Sequence, residues 1–367
     1  MTITAKDIAE RLQVSPSAVS LAMNGKPGVS DATRERIMTE AVRMGYSIHK
    51  KETLTAARNI RFVIFLSSRQ SLEEDSLAPE ILQGIEARAQ EYEHNVLVSY
   101  FYADGDWATQ ALNICRDTAG LIVLASGLEE QHIEKARTLL ERQKIPVVLV
   151  GNTMEFSHVD CVCADNLQGA SLAVRHLLEM GHPDAGYLRA RPRSDSFEER
   201  QAGMLHARRK FGLNDRTLLQ YIDVGTTSEQ AFRDINAWLA QGGHPLSAYF
   251  ADTDVIAAAA VRAFSAHGYR VPEDVSVIGF GDLPICSMMD PELTTVRVMR
   301  EQMGSAAMDR MCCRLHDFQK NGNTAEDGYC RIIISASLVK RDSVARYEIG
   351  RAKGCRMNAS GAAALQQ

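Results

Sequence analysis

The chain has no run of 18 consecutive apolar residues, which excludes a conventional membrane-spanning helix. Its N-terminus has no basic segment followed by a hydrophobic core and a small-residue cleavage site, so the expected location is cytoplasmic, without a membrane partner. It also lacks a Gly-rich phosphate loop, a G-x-S-x-G elbow and a metal-ligand cluster. Nothing therefore argues for an enzyme, a cofactor or a metal. The eight cysteines at 115, 161, 163, 286, 312, 313, 330 and 355 form no C-x-x-C pair and have no histidines at zinc spacing, so they read as reduced, mostly buried thiols. His176 and His182 fall in a helix and at its terminus, where packing and capping explain them.

Positive charge is scarce overall, at a net −5, but it is unevenly placed. Residues 1–58 carry 9 basic and 6 acidic side chains, leaving 32 basic against 40 acidic in the rest. Attraction for a polyanion is thus confined to the front of the chain, and an excess of three charges calls for two such regions acting together. With 45% apolar and 6% aromatic residues over 367 positions, the composition is that of a globular chain long enough for a small headpiece and a large core.

The headpiece is Thr4 to Tyr46. Thr4 caps a first helix with Ile8 and Leu12 on its inward face, Val14 turns the chain, and Ser15-Pro16 starts a second helix running to Met23. Val19, Ala22 and Met23 share the inner side of that helix, while Ser17, Ser20, Leu21 and Asn24 fall outward at helical spacing. Small outward residues let a helix sink into the roughly 12 Å major groove of DNA. Ser30 caps a third helix with Thr33, Ile37, Ala41 and Met44 on one face, and Gly45 stops it.

Asp7-Ile8-Ala9, Val14-Ser15, Ala18-Val19-Ser20, Asn24-Gly25 and Val29-Ser30-Asp31-Ala32-Thr33-Arg34 resemble the headpiece of the lac-repressor/GalR family of bacterial transcription regulators. That resemblance implies that Ser17 and Leu21 face bases, that Pro16 and Ala18 flank them, and that Thr4, Ser15, Ser20 and Asn24 hold phosphates. Leu21 stands where many members carry a basic residue, which removes a bidentate guanine contact and leaves a thymine methyl as the natural target. Residues 48–59 correspond to the family's hinge, whose leucine wedges between base pairs in the minor groove. Leu54 is the candidate; the competing role is packing on the core.

From Ile60, short apolar runs such as IRFVIFL, GLIVLAS and PVVLVG alternate with helical segments, and a second series runs from CVCAD to VSVIGFGD. This is the pattern of an α/β chain with two doubly wound parallel-sheet lobes. Asp165-Asn166, Gly181-His182, Phe250-Ala251 with Asp254, Gly279-Phe280 with Asp282, and Leu293-Thr294-Thr295-Val296 resemble the same family's effector domain, a relative of periplasmic sugar-binding proteins. The resemblance implies lobe one at about 60–162 and 291–322, lobe two at about 163–290 and 323–343, and crossings near 160–165, 283–292 and 320–330. A small-molecule effector, a carbohydrate or related metabolite, would bind in the cleft at the strand C-termini.

Arg200 matches a family arginine that reaches the effector; the alternative is an ion pair with Glu198 or Glu199. Thr253 and Asp254 open a helix, so each is a cap, a ligand contact or both. Gly281 replaces a family aspartate, leaving Asp282 beside it as a candidate. The segment 344–367 is small and polar, without leucine heptads, and reads as a disordered tail. The expected assembly is a homodimer on a double-stranded operator; the rival expectation is a small-molecule-binding protein whose headpiece lacks specific DNA recognition.

Overall fold

A computed structural model describes residues 5–23, 28–43, 58–66, 78–125, 130–141, 145–151, 159–182, 184–213, 220–321 and 328–347. Thr4, Asn24, Leu54, most of the hinge and the chain beyond Tyr347 lie outside them. The chain divides into two compact units, Met1–Asn59 with Arg116–Ala119, and Ile60–Cys115 with Gly120–Gln367.

Among its described residues the first unit has three helices, α1 (Ala5–Leu12), α2 (Pro16–Met23) and α3 (Asp31–Arg43). Ile8, Ala9, Val19, Ala22, Ile37 and Ala41 are buried together, with Leu12, Val14 and Val29 packed around them. Gln13 takes a left-handed φ of 54° and ends α1. The Arg34 guanidinium then donates to the Ala22 carbonyl at 3.1 Å, giving the end of α2 a partner for an orphan acceptor.

Among the described residues the second unit contains two six-stranded sheets. The first is built from β1 (Asn59–Leu66), β2 (Asn95–Tyr102), β3 (Gly120–Leu124), β4 (Val147–Val150), β5 (Asp160–Ala164) and a late strand, β11 (Arg331–Ile334). Their spatial order is β11-β5-β4-β3-β1-β2. The helices of this lobe are α4 (Ala78–Glu91), α5 (Trp107–Cys115), α6 (Glu130–Glu141) and α11 (Arg300–Asn321). α4 and α11 meet backbone to backbone. A Cβ on Gly84 would lie 1.9 Å from the Glu301 carbonyl oxygen and one on Gly304 2.0 Å from that of Ile81, so only glycine permits this crossing.

The second sheet runs β12-β10-β9-β8-β6-β7. It comprises β6 (Gly186–Arg191), β7 (Tyr221–Gly225), β8 (Ala248–Ala251), β9 (Ser276–Gly281), β10 (Thr294–Arg297) and the antiparallel edge strand β12 (Ser337–Val339). The covering helices are α7 (Asn166–Glu179), α8 (Asp195–Lys210), α9 (Ser228–Ala240) and α10 (Asp254–Ala266). Successive strand residues go to opposite faces: Leu188, Tyr249 and Val277 pack in one core, and Tyr187, Phe250 and Ile278 in the other.

Strand membership moves two of the three crossings expected from sequence. β10 pairs with β9 in the second sheet, so the chain crosses between Arg297 and Arg300 rather than near 283–292. β11 pairs with β5 in the first sheet, and the last crossing lies between Ile334 and Ser337 rather than near 320–330. The buried Asp160 carboxylate fixes the latter pairing, because it accepts from the Cys330 amide and from Arg314 and ion-pairs with Arg310.

The core also reaches past residue 343, into the stretch that composition assigns to a tail. The Ser343 hydroxyl donates to the Val277 carbonyl at 2.6 Å, and the Tyr347 amide donates to Met180 O at 2.9 Å. His182, 4% exposed, pins the same strap with Nδ1 3.0 Å from Ser247 Oγ and Nε2 3.0 Å from Ala345 O. Because a carbonyl only accepts, Nε2 carries the hydrogen and Nδ1 receives the serine hydroxyl, which keeps the ring neutral. Burial lowers the His182 pKa to about 4. Since the folded value lies below the unfolded one, the unfolded chain binds more protons between pH 6.5 and about 4, and stability falls as pH drops through that window. Urea unfolding across it is expected to show roughly 3 kcal/mol of pH dependence that His182→Gln removes.

Candidate functional sites

In the headpiece, Ser15 Oγ accepts from the Ala18 amide at 3.1 Å, the N-cap that the sequence specifies for α2. Ser15 and Ser17 hydroxyls lie 2.9 Å apart, so one of their two hydrogens is spent between them and the other stays available. Pro16, Ser17 and Ser20 are exposed, and Ala18 and Leu21 are half-buried. Leu21 is held from one side: a Cβ on Gly28, whose φ is +125°, would touch Leu21 Cδ1 at 3.0 Å. The outward surface of α2 is therefore a shallow face of short polar groups with one aliphatic side chain.

In the two-lobed unit, the strand C-termini of lobe two present Arg193, Arg200, Asp252, Thr253 and Asp282. Ser196 Oγ lies 3.5 Å from the Gly151 carbonyl oxygen of lobe one, which puts the first turns of α8 at the gap between the lobes. Arg200, one turn further along that helix, donates through Nε to Asn166 Oδ1 at 3.0 Å and through Nη1 to the Asp252 carbonyl. Its guanidinium lies 3.9 Å from the Phe280 ring centroid and 5.3 Å from that of Phe197. Burial holds its pKa below the ordinary arginine value. The expected alternative, a pair with Glu198 or Glu199, is not formed, because Glu198 pairs with Arg193 and Glu199 with Arg331.

Thr253 is the N-cap of α10, accepting from the Ile256 amide at 3.2 Å, and its side chain is half-buried at the strand end. Asp254 is 0% exposed and does not line the cleft. Its carboxylate accepts from the Thr295 hydroxyl and from the Leu283 amide at 2.8 Å. It fits because β9 has glycines alongside: a Cβ on Gly279 would sit 2.3 Å from Oδ1 and one on Gly281 2.9 Å from Oδ2. Burial raises its pKa.

Asp282, at a left-handed φ of 60°, receives Arg297 at 2.6 Å and Arg341 at 2.7 Å. Burial works against its ionised form, but the two guanidinia outweigh it and hold its carboxyl below the usual aspartate value. Its oxygens thus clamp β9, β10 and the C-terminal segment together.

Sequence reasoning missed Asp252, which is fully buried and receives Tyr187 OH, the Ala190 amide at 2.8 Å and Arg193 Nη1 at 2.6 Å. It also missed Asn166, which bridges Arg200 to Glu199. Asn166 was visible only within the Asp165-Asn166 string, and Asp252, next to the quoted Phe250-Ala251, was not singled out. Among the described residues no group of three or more His, Cys, Asp or Glu side chains is placed to hold a metal, and no helix is long and apolar enough to cross a membrane.

Residues 4–47 match the family model for bacterial regulatory proteins of the lacI family, and residues 174–344 match a periplasmic binding protein-like domain. The HTH-type transcriptional regulator GalS of Salmonella typhimurium strain LT2 is 29% identical over 313 residues, 84% of this chain and 88% of that protein. The HTH-type transcriptional repressor CytR of Escherichia coli strain K12 is 29% identical over 343 residues, 91% of this chain and 96% of that protein. A crystal structure of the lac repressor dimer bound to operator and the anti-inducer ONPF has the same fold, with a TM-score of 0.65 at 23% identity over 94% of this chain and 100% of that one.

The burial of Asp254 gives a ranking that thermal unfolding can test. Asp254→Ala strands the Leu283 amide and the Thr295 hydroxyl and is expected to cost about 2–4 kcal/mol, whereas Thr253→Ala loses one cap and costs about 1 kcal/mol. The reverse order would return Asp254 to the cleft.

Proposed function

We propose that the chain is a lacI-family, sequence-specific DNA-binding transcription regulator, a repressor, whose operator affinity is set by a small-molecule effector held between the two lobes; the matches of residues 4–47 to the lacI family model and of residues 174–344 to the periplasmic binding protein-like domain support this reading. The observation that carries this reading is the outward face of α2, where exposed Pro16, Ser17 and Ser20 leave the backbone free to approach a duplex closely. In this reading Ser17 and Leu21 meet base edges with Pro16 and Ala18 beside them. Ser15, Ser20, Thr4 and Asn24 hold phosphates, and the Ser15–Ser17 pair retains one hydroxyl hydrogen for that purpose.

The protein acts as a cytoplasmic homodimer. Two headpieces grip half-sites of a near-palindromic operator, and Leu54 of each hinge enters the minor groove. Arg200, Thr253 and Asp282 face the effector cleft, with Arg200 the direct contact. Effector binding changes the population of lobe arrangements and so the spacing of the two hinges, a coupling of about 1–3 kcal/mol. No catalytic step is part of this function.

Selection from random duplexes on the purified full chain is expected to return one enriched palindrome; a library that stays unenriched would sink the proposal. With that palindrome in hand, Ser17→Ala and Leu21→Ala are expected to change the preferred bases, each by about 1–3 kcal/mol of discrimination, while Asn24→Ala weakens all duplexes about equally. A change of preferred sequence in Asn24→Ala would overturn the division of roles.

A further inference from the structure

Between the first sheet and the two helices α5 and α6, lobe one holds a cavity of about 50 Å³, counted as the space open to the centre of a water molecule. Its lining is apolar throughout. Val63 and Phe65 of β1 and Leu121, Val123 and Ala125 of β3 alternate onto the sheet face that these helices cover, and so form its floor. Aromatic rings stand at the end nearest the strand C-termini. Phe65 and Phe101 stack at 5.6 Å, and the Trp107 indole meets them edge-on at 5.7 and 5.0 Å. Ala111 of α5 and Ala136 of α6 are the short side chains of the helix wall, and the space that a larger residue would fill stays open beside them. Cys115, at the far end of α5, also lines it; burial pushes its thiol up, so it adds no charge.

Water gains little in such a space. An ordered water needs two or more polar partners and the wall offers none, so an empty cavity forfeits dispersion contacts that an apolar guest restores. A water takes about 15 Å³ of space counted this way and about 30 Å³ in the liquid, so the cavity has room for roughly 100 Å³ of guest, a single six-membered ring. An aromatic ring suits it better than an aliphatic one, because Phe65, Phe101 and Trp107 present faces and edges against which a further ring stacks or stands edge-on. A polar group stands beside that end. The ring of His132, in the first turn of α6, lies 6.1 Å from that of Trp107 and 6.4 Å from that of Phe65. Its Nδ1 is buried and has no hydrogen-bond partner among the described residues. The Trp107 indole N–H, by contrast, is committed to the Ala103 carbonyl at 2.9 Å. A ring nitrogen withdrawn from water without a partner is a cost that a guest hydroxyl removes, whichever tautomer the imidazole adopts.

We infer that lobe one carries a ligand site of its own, which takes a single-ring phenol. The ring fills the cavity against Phe65, Phe101 and Trp107, and the hydroxyl pairs with His132 Nδ1. Every residue that lines the cavity belongs to lobe one, so the inference does not depend on the effector cleft between the lobes.

The test uses the full-length protein with Trp238→Phe, which leaves Trp107 as its single tryptophan, and follows quenching of that emission by bromobenzene and 4-bromophenol. Both are expected to quench saturably, 4-bromophenol about fivefold more tightly for its one added hydrogen bond. His132→Phe is expected to bring the two to equal affinity. Phenol is expected to displace bound 4-bromophenol at concentrations where cyclohexanol does not. Ala136→Leu fills the cavity and is expected to abolish saturation while the protein still melts cooperatively. If that variant does not fold, Leu139→Ala asks the same question from the other side: widened by one side chain, the cavity is expected to admit 6-bromo-2-naphthol, which the parent excludes. Quenching that rises linearly with concentration, and is the same in the filled or widened variant as in the parent, is collisional and overturns the inference. Equal affinity of the parent for bromobenzene and 4-bromophenol, or equal displacement by cyclohexanol, overturns it as well.

Discussion

A carboxylate removed from water must find its hydrogen-bond donors inside the protein, and in lobe two that requirement sets the geometry of everything near the cleft. Asp254 is the clearest case. Its side chain reaches from the start of α10 across two glycines of β9, to the Thr295 hydroxyl on β10 and the Leu283 amide beyond β9. Three neighbouring segments are thereby held at one depth. Asp282 repeats the device one layer out with Arg297 and Arg341, and Asp252 does so toward β6 through Tyr187, the Ala190 amide and Arg193. The acids that make the floor rigid are consequently engaged in holding strands and helix starts together.

Much of this was legible in the sequence because it is local. Ser15-Pro16 and Thr253 specify their caps without help from distant residues, and both caps form. The alternation of short apolar runs with helical segments specifies two doubly wound sheets, since a strand covered on both faces has little choice but to be apolar throughout. What escaped is what depends on partners far along the chain. TTVR and RIII are too short for their sheet membership to be read from period, and it is settled by β9 and β5, which precede them by some distance. That is why two crossings shift. Asp254 looked like a cap-or-ligand residue because its true neighbours, Gly279 and Gly281, declare themselves only by the absence of side chains.

A buried arginine spans the second of these crossings. Arg300 begins the helix after the second crossing and is 2% exposed. It donates to both Glu80 oxygens at 3.2 Å within lobe one and to the Gly281 carbonyl of lobe two. The Glu80 side chain is 47% exposed, but the guanidinium it pairs with is buried, so losing Glu80 would leave that cation without its carboxylate partner. The bond to Gly281 is buried, and breaking it would strand a cationic donor away from water at a cost of about 1–3 kcal/mol. Arg300 therefore ties the two lobes together beside this crossing. Gly281 is also the residue after Phe280, against which Arg200 stacks. The guanidinium that stacks on Phe280 and the first turn of α4 are thus joined by a short run of contacts through Phe280, Gly281 and Arg300, a continuous physical path from the cleft side of lobe two into lobe one.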